Sequence, residues 1–401
     1  MKVLHVIQYF TSSYGGPSAV CKDTCKYLAE RGHEVVICTT DLDYPSGKLD
    51  VPVNRMLEQD GYKICYFSAT HGYGLSVQLC EYLLNSIHSF DIVEIHGLYR
   101  FPQAITAYIS RFKKVPYIVR PHGALDPFLH NQSKHYWLKR IYESLVEFPN
   151  INSASAIQYT AEEEYRLTRS FNFKPPHFIL PLGLDLDQYS KLPKSGEFRK
   201  KLGINNEKII LYLGRINFKK GLDILIEATR TIVSSESIKV KLVIVGPDNE
   251  GYKSKLIQLT NKLGLQDRVV FTGMLVGQEK LAALIDSDVF VLSSHTENFG
   301  VTIIEAMFCM LPVVMSNKVN IWREIQHSGS ALITSCESGD VADAISKILD
   351  NPKMSQQMGI CGRSAVEHTY NWDAIIPKLI DMYEKFSRKK RILYAASAKS
   401  S

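Results

Sequence analysis

No apolar run in the 401 residues approaches the ~18–20 that a membrane-spanning helix requires. The first apolar run ends near Ile7, too short for the apolar core of an export signal, and no small-residue cleavage site follows it. No pair among the eight cysteines has metal-binding spacing with histidines nearby. Several lie in apolar runs, where a free thiol behaves as a small hydrophobe, and a reducing cytoplasm is the expected setting. The double glycine after the first strand, Gly15-Gly16, is not the G-x-G-x-x-G fingerprint, so dinucleotide binding gets no support. A strong global charge is missing too. The net +6 is carried by the stretch from Lys385 to Ser401, which holds Lys385, Arg388, Lys389, Lys390, Arg391 and Lys399 and no acid. With the remainder balanced, a nucleic-acid partner is not expected. The basic tail suits an anionic membrane surface or a solvated, disordered terminus.

What the chain does have is alternation. Short β-branched runs at Val3–Ile7, Val35–Cys38, Tyr62–Phe67, Ile92–Ile95, Tyr117–Val119, Ala156–Tyr159 and Phe178–Leu180 read as strands, most of them separated by helical patterns. The segment from Leu180 to Asp185 interrupts the rhythm, Lys-rich polar sequence follows, and the alternation restarts at Ile209–Leu213, Val240–Val245, Val269–Thr272 and Val289–Leu292. The reading is α/β: two Rossmann-like domains with parallel sheets, whose strand carboxyl ends face a cleft. The expected boundaries are residues 1–182, 183–370, a last helix at 371–386 and a basic, disordered tail at 387–401.

Two segments carry chemistry. In Leu211–Gly221 a strand opens into a loop with Arg215 and Lys220, glycines flank both ends, and a helix starts after Gly221. That order suits a diphosphate, because helix N-termini attract anions and Arg offers a charge-assisted fork; the plain alternative is a solvated basic loop. In Ser293–Ala306, Glu297 lies in a loop and Glu305 in a helix starting near Gly300, with Asn298 and Phe299 between. Carboxylates accept hydrogen bonds from sugar hydroxyls. The alternative makes Glu297 a capping acid and Glu305 a surface residue, although the apolar neighbours of Glu305 place it near a buried face. His122, in Arg120-Pro121-His122-Gly123, falls at a strand's carboxyl end. The stretch from Asn131 to Arg140 mixes Lys134, His135, Tyr136, Trp137, Lys139 and Arg140, as at a membrane interface or an anionic acceptor site, or as in an ordinary amphipathic helix with Trp137 packed inward.

At these residues the chain resembles the retaining family-four glycosyltransferases of the GT-B architecture (glycosyl transferases group 1), over nearly its whole length. The strongest motif is Glu297-Asn298-Phe299-Gly300 through Glu305-Ala306, matching the family's pattern of two glutamates with seven residues between them. Gly214-Arg215 through Lys220-Gly221 resembles its diphosphate motif. Pro121-His122-Gly123 and Gly15-Gly16 resemble first-domain elements, and Asn371-Trp372-Asp373 resembles the start of a last helix that crosses back to the first domain.

The resemblance implies catalytic roles for Arg215, Lys220, His122 and Glu297. Donor binding would fall to Gly15, Gly16, Gly246, Asn298, Phe299, Gly300 and Glu305, with Glu305 on the ribose and Glu297 on the transferred sugar. It implies no cofactor and no metal. Asp41-Leu42-Asp43 and Asp185-Leu186-Asp187 have Asp-x-Asp spacing but lie outside the matching positions. The implied partners are a nucleotide-diphosphate sugar and an acceptor of lipid-linked or soluble kind, with peripheral membrane contact and no nucleic acid. The implied work is retaining transfer in bacterial surface polysaccharide or glycolipid synthesis. A UDP-sugar epimerase of the same architecture and a non-catalytic sugar-nucleotide binder are the alternatives. Two departures stand out. Met310 replaces a glycine before Pro312-Val313-Val314, at little cost if its backbone angles stay negative. The glycine-rich loop usual after that strand is replaced by Ser316-Asn317-Lys318-Val319-Asn320.

Overall fold

The computed structural model describes residues 1–11, 14–44, 46–70, 72–128, 136–235, 238–248 and 251–387. The basic tail from Arg388 onward, and Lys134 and His135 of the basic-aromatic stretch, lie outside them. Two compact units form: Met1–Gly183 with the segment from Trp372 onward, and Leu184–Asn371.

The first unit's sheet contains β1 (Lys2–Val6), β2 (Glu34–Thr40), β3 (Met56–Gln59), β4 (Tyr62–Phe67), β5 (Ile92–His96), β6 (Tyr117–Arg120), β7 (Ala156–Tyr159) and β8 (His177–Ile179), in the spatial order β3-β4-β2-β1-β5-β6-β7-β8. Every pairing is parallel except β3 on β4. Helices cover a parallel sheet on both faces, so its inner strands are apolar runs without alternation; β5 and β7 are buried at every position. The helix Trp372–Phe386 belongs to this unit. Trp372 stacks on Tyr27 of the helix Gly16–Glu30, and Asp373 accepts from Arg31 at 2.7 Å.

The second unit contains β9 (Lys208–Leu213), β10 (Val240–Val245), β11 (Val269–Gly273), β12 (Val289–Leu292), β13 (Val313–Ser316) and β14 (Ala331–Thr334), in the order β11-β10-β9-β12-β13-β14, all parallel. This is the doubly wound order. Its centre, between β9 and β12, is a switch point where the loops leaving the two strands diverge and leave a crevice at their carboxyl ends. The first unit repeats it between β1 and β5. The chain enters and leaves the second unit side by side, with the Leu184 N–H donating to the Tyr370 carbonyl at 2.7 Å.

Met310 overturns one expectation. Its φ is +60°, not negative. The helix Val301–Phe308 ends in a double cap: the Leu311 N–H donates to the Ala306 carbonyl at 2.9 Å and the Met310 N–H to the Met307 carbonyl at 3.0 Å. That geometry requires a left-handed residue at position 310, where glycine carries no penalty. A β-carbon at Gly359 would stand 2.3 Å from the Met310 carbonyl oxygen, so the neighbouring helix holds the strained turn in place.

Met310→Gly removes that strain and is expected to stabilise the fold by about 1 kcal/mol, net of glycine's unfolded-state entropy; an unchanged urea midpoint would show that the turn stores none. Gly246→Ala is expected to cost about 3 kcal/mol or more in the same measurement. A β-carbon there would fall 1.8 Å from the Gly214 carbonyl oxygen, with φ at +148°. Wild-type stability in that variant would refute the close approach.

Candidate functional site

In the second unit the site grows from the carboxyl ends of β9 and β12. Leaving β9, the chain passes Gly214 and Arg215, and Tyr212 donates its hydroxyl to the Arg215 carbonyl at 2.8 Å. Asn217 then caps a short turn, its side chain accepting from the Lys219 N–H at 2.9 Å, and Gly221, at φ +59°, begins the helix Leu222–Ser234. The loop leaving β12 is tied to this one. Ser293 Oγ donates to the Gly221 carbonyl at 2.7 Å, and the His295 N–H donates to the Lys219 carbonyl at 2.7 Å. A β-carbon at Gly221 would meet the Ser293 carbonyl oxygen at 2.1 Å, so glycine is required by the neighbouring backbone.

This stitching brings Lys220 onto Glu297, and the ammonium forms an ion pair with the carboxylate Oε2. Burial alone would push the Glu297 carboxyl up. The Lys220 charge and hydrogen bond, the Phe299 N–H and the nearby Arg215 outweigh it, and the carboxyl is held below the usual carboxylate range. The loop after β13 completes the frame. Glu297 donates its N–H to the Lys318 carbonyl at 3.1 Å, Asn320 donates its N–H to the Glu297 carbonyl at 2.9 Å, and the Asn320 side chain reaches Asn298 at 3.3 Å. The loop that departs from the glycine-rich form therefore supports the Glu297 segment through backbone pairing.

Gly300, at φ +76°, precedes the helix Val301–Phe308, and Phe299 is buried beside it. Glu305 lies within that helix, buried, and accepts from Lys280 Nζ at 2.8 Å. Lys280, from the helix Gly277–Asp286, was not visible as a site residue in the sequence, because nothing local marks a partner 25 residues away. Gly246 ends β10 against Gly214, which is a packing reason for that glycine independent of any ligand.

The first unit holds the remaining residues. Gly15, at φ +83°, and Gly16 open the helix Gly16–Glu30 after β1. A β-carbon at Gly16 would meet nothing within 4 Å, so no packing demand explains that glycine. His122 follows β6 with φ +53°, and Gly123 next to it has φ +74°. The Gly123 N–H donates to the Glu164 carboxylate at 2.8 Å, which also accepts from the Thr160 N–H and hydroxyl at 2.7 and 2.8 Å. A left-handed non-glycine residue, held there by a buried carboxylate, is the kind of strain that marks functional positions. Inward from His122 lie His96 and His5, two buried histidines that sequence reasoning passed over; polar residues in otherwise apolar strands were the available signal.

Residues 14–188 match the model of Glycosyltransferase Family 4, and residues 194–365 match that of Glycosyl transferases group 1. N-acetyl-alpha-D-glucosaminyl L-malate synthase of Bacillus anthracis is 26% identical over 392 residues, covering 92% of this chain and 94% of that one. GDP-mannose:cellobiosyl-diphosphopolyprenol alpha-mannosyltransferase of Xanthomonas oryzae pv. oryzae is 25% identical over 398 residues, covering 96% of each. The crystal structure of Anabaena Alr3699/HepE in complex with UDP and glucose superposes with a TM-score of 0.79 at 19% identity, over 96% of this chain and all of that one. The fold is GT-B, and the chain belongs to the group 1 glycosyltransferases of family four.

Proposed function

We propose that this chain is a retaining glycosyltransferase that moves a sugar from a UDP- or GDP-linked donor to an acceptor hydroxyl. The second unit would hold the nucleotide sugar and the first the acceptor. The observation that carries this reading is the pair of cations, Arg215 and Lys220, on a glycine-bounded loop at the β9/β12 switch point, beside a carboxylate kept ionised. Lys220 and Arg215 would bind the donor diphosphate. As the anomeric C–O bond breaks, negative charge grows on the leaving diphosphate oxygen, and fixed cations stabilise that charge without reorganisation. The acceptor oxygen forms its bond on the face the diphosphate leaves. Its proton passes to the diphosphate, so atoms and charge balance without an enzyme nucleophile. Glu297, Asn298, Phe299 and Gly300 would hold the sugar, Glu305 the ribose hydroxyls, and His122 the sugar near the reacting carbon. Gly15, Gly16 and Gly246 would line the backbone approach to the donor. The Anabaena structure's UDP and glucose support this donor class.

A second reading concerns the acceptor and rests on an inverted helix. Along Tyr136–Tyr142 and its continuation Glu143–Glu147, the polar side is inside. Glu143 accepts from the Tyr99 hydroxyl at 2.8 Å and Glu147 from the Tyr99 N–H at 2.6 Å, and both acids are buried. The apolar side faces out: Trp137 is 81% exposed, Leu145 72%, Leu138 66% and Ile141 53%. The alternative that packs Trp137 inward is thereby overturned. An apolar face with the half-exposed Arg140 beside it suits the surface of an anionic membrane, while Lys139 turns inward, its ammonium 4.6 Å from the centre of the Tyr99 ring. The Xanthomonas relative's diphosphopolyprenol acceptor supports a lipid-linked substrate in surface polysaccharide or glycolipid synthesis. Among the described residues no helix is long and apolar enough to cross a membrane.

Incubation with nucleotide sugars and candidate acceptors, followed by analysis of released nucleotide and product linkage, tests the reaction. Arg215→Ala and Lys220→Ala are each expected to lower kcat/KM by about 10²–10³-fold; unchanged transfer in either would sink the diphosphate assignment. Release of an epimerised nucleotide sugar instead of a transfer product would favour the epimerase alternative. The double variant Trp137→Ser and Leu145→Ser should lose flotation with anionic vesicles while still transferring to a soluble acceptor. Flotation equal to the wild type would remove this face from the membrane reading.

A further inference from the structure

Three imidazoles run inward from the loop after β6 to the centre of the first unit's sheet. His122 Nε2 stands 3.1 Å from His96 Nδ1, and His96 Nε2 stands 2.9 Å from His5 Nδ1. His96 ends β5, and His5 is in β1, so the line crosses the switch point between those strands. The ring centroids are 5.4 and 5.2 Å apart, and the planes are tilted by only 20° and 27°. Those separations are what two five-membered rings give when a nitrogen of one points straight at a nitrogen of the other. That is the geometry of an N–H···N hydrogen bond. Cys21 Sγ lies close enough to His5 and His96 for the three to be considered as metal ligands, but ligands to one ion converge on it at an angle instead of facing each other along a line.

The surroundings keep the rings neutral. Burial holds all three well below the usual imidazole range, His5 down to about 3, and the Arg120 guanidinium adds to the effect on each; His96 also feels its two neighbours. The charges facing the line balance one another. Arg120 lies 3.3 Å from the Glu94 carboxylate, whose other oxygen accepts from the Tyr383 hydroxyl, and His96 Nε2 is 3.6 Å from Glu94 Oε1. A neutral imidazole has one N–H and one bare nitrogen. In a line of such rings each donates to the next in the same direction, so the tautomer of one fixes the tautomers of all. His122 Nε2 is committed inward, and Nδ1 is the nitrogen left for a ligand.

We propose that His96 and His5 are positioning residues. They present His122 as an uncharged imidazole in a single tautomer, with Nδ1 as its hydrogen-bonding atom toward a neutral hydroxyl of the transferred sugar. This rests on the reading in which His122 contacts that sugar. It also divides the work chemically. Charge toward the diphosphate comes from Arg215 and Lys220, while His122 supplies direction without charge.

Imidazole nitrogen NMR on the full chain tests the line, and transfer kinetics test its consequence. In the wild type His122 should show one protonated and one bare nitrogen at neutral pH. In His96→Phe its two nitrogens should average between tautomers, while burial and Arg120 still keep its titration below the ordinary value near 6.5. Over the same change kcat should fall about tenfold to a hundredfold, as when other imidazole-orienting partners are removed, with little change in donor KM; His96→Gln, which keeps a donor and an acceptor, should recover part of it. If His96→Phe does not fold, His5→Leu, which has no polar atom to face His96 Nε2, breaks the far end of the line and should disturb the His122 tautomer in the same sense. An unchanged His122 spectrum in these variants would overturn the proposal, as would stoichiometric zinc retained by the purified chain and lost from a Cys21→Ser variant. Full transfer by His122→Ala would instead overturn the contact between His122 and the sugar on which the proposal stands, whatever the spectra show.

Discussion

The ion pair between Lys220 and Glu297 depends on nearly everything else in the second unit being where it is. One partner comes from the loop after β9 and the other from the loop after β12, the two strands between which the winding reverses. Their side chains are largely withdrawn from water, at 19% and 18% exposure, so each would be costly without the other. The backbone meets that requirement first. Gly221 has no side chain because the Ser293 carbonyl occupies the space a β-carbon would need, and the Lys219 and Gly221 carbonyls are held by the next loop. The cation is thus fixed by main-chain geometry before any ligand arrives. Fixed charge of this kind needs no rearrangement when charge develops on a leaving group.

The first unit solves a different problem with the same topology. At its own switch point the buried polar groups are three rings held neutral and one carboxylate, Glu94, balanced by Arg120 and the Tyr383 hydroxyl. Tyr383 lies on the helix Trp372–Phe386, so the last helix contributes to the polar centre of the sheet as well as to its surface. Both switch points therefore pair ions, and the first unit's adds a line of aligned neutral rings to its Arg120–Glu94 pair. That difference follows from which side chains stand at equivalent carboxyl ends of strands, because the strand order around both points is the same.

Much of this was legible in the sequence where burial makes a pattern. Parallel strands covered on both faces become unbroken apolar runs, and Tyr62–Phe67, Ala156–Tyr159, Val240–Val245 and Val289–Leu292 stand as strands with the ends their sequences suggest. Met56–Gln59 was missed because β3 is an edge strand with little burial, so no apolar run or alternation marks it. The turn after it, Asp60-Gly61 with both residues at positive φ, was the available sign of an antiparallel hairpin. Val313–Ser316 was noticed only through its family motif, and Ala331–Thr334 not at all, since it is a half-buried edge strand without the unbroken apolar run of the inner strands. Local motifs singled out Arg215, Lys220, Glu297 and Glu305 as candidates. They did not reveal the three-ring line, whose members are 91 and 26 positions apart in sequence and meet only because β1, β5 and β6 are neighbours.

Glu305 shows where a motif stops being informative. Its spacing from Glu297 is fixed by the loop and the helix between them, but a carboxylate in the buried face of the helix Val301–Phe308 survives only with a partner. Lys280 supplies it through Oε1 at 2.8 Å, and its ammonium also lies 6.0 Å from the centre of the Tyr189 ring. Lys280 arrives from a separate helix that carries no recognisable signature. A carboxylate held through Oε1 by Lys280, with the Tyr189 hydroxyl beside it, is oriented. A free surface glutamate would have to give up side-chain entropy to bind in the same way. Burial, which made Glu305 look costly from sequence alone, is therefore the condition that orients it, and the residue that makes burial affordable is the one the motif does not contain.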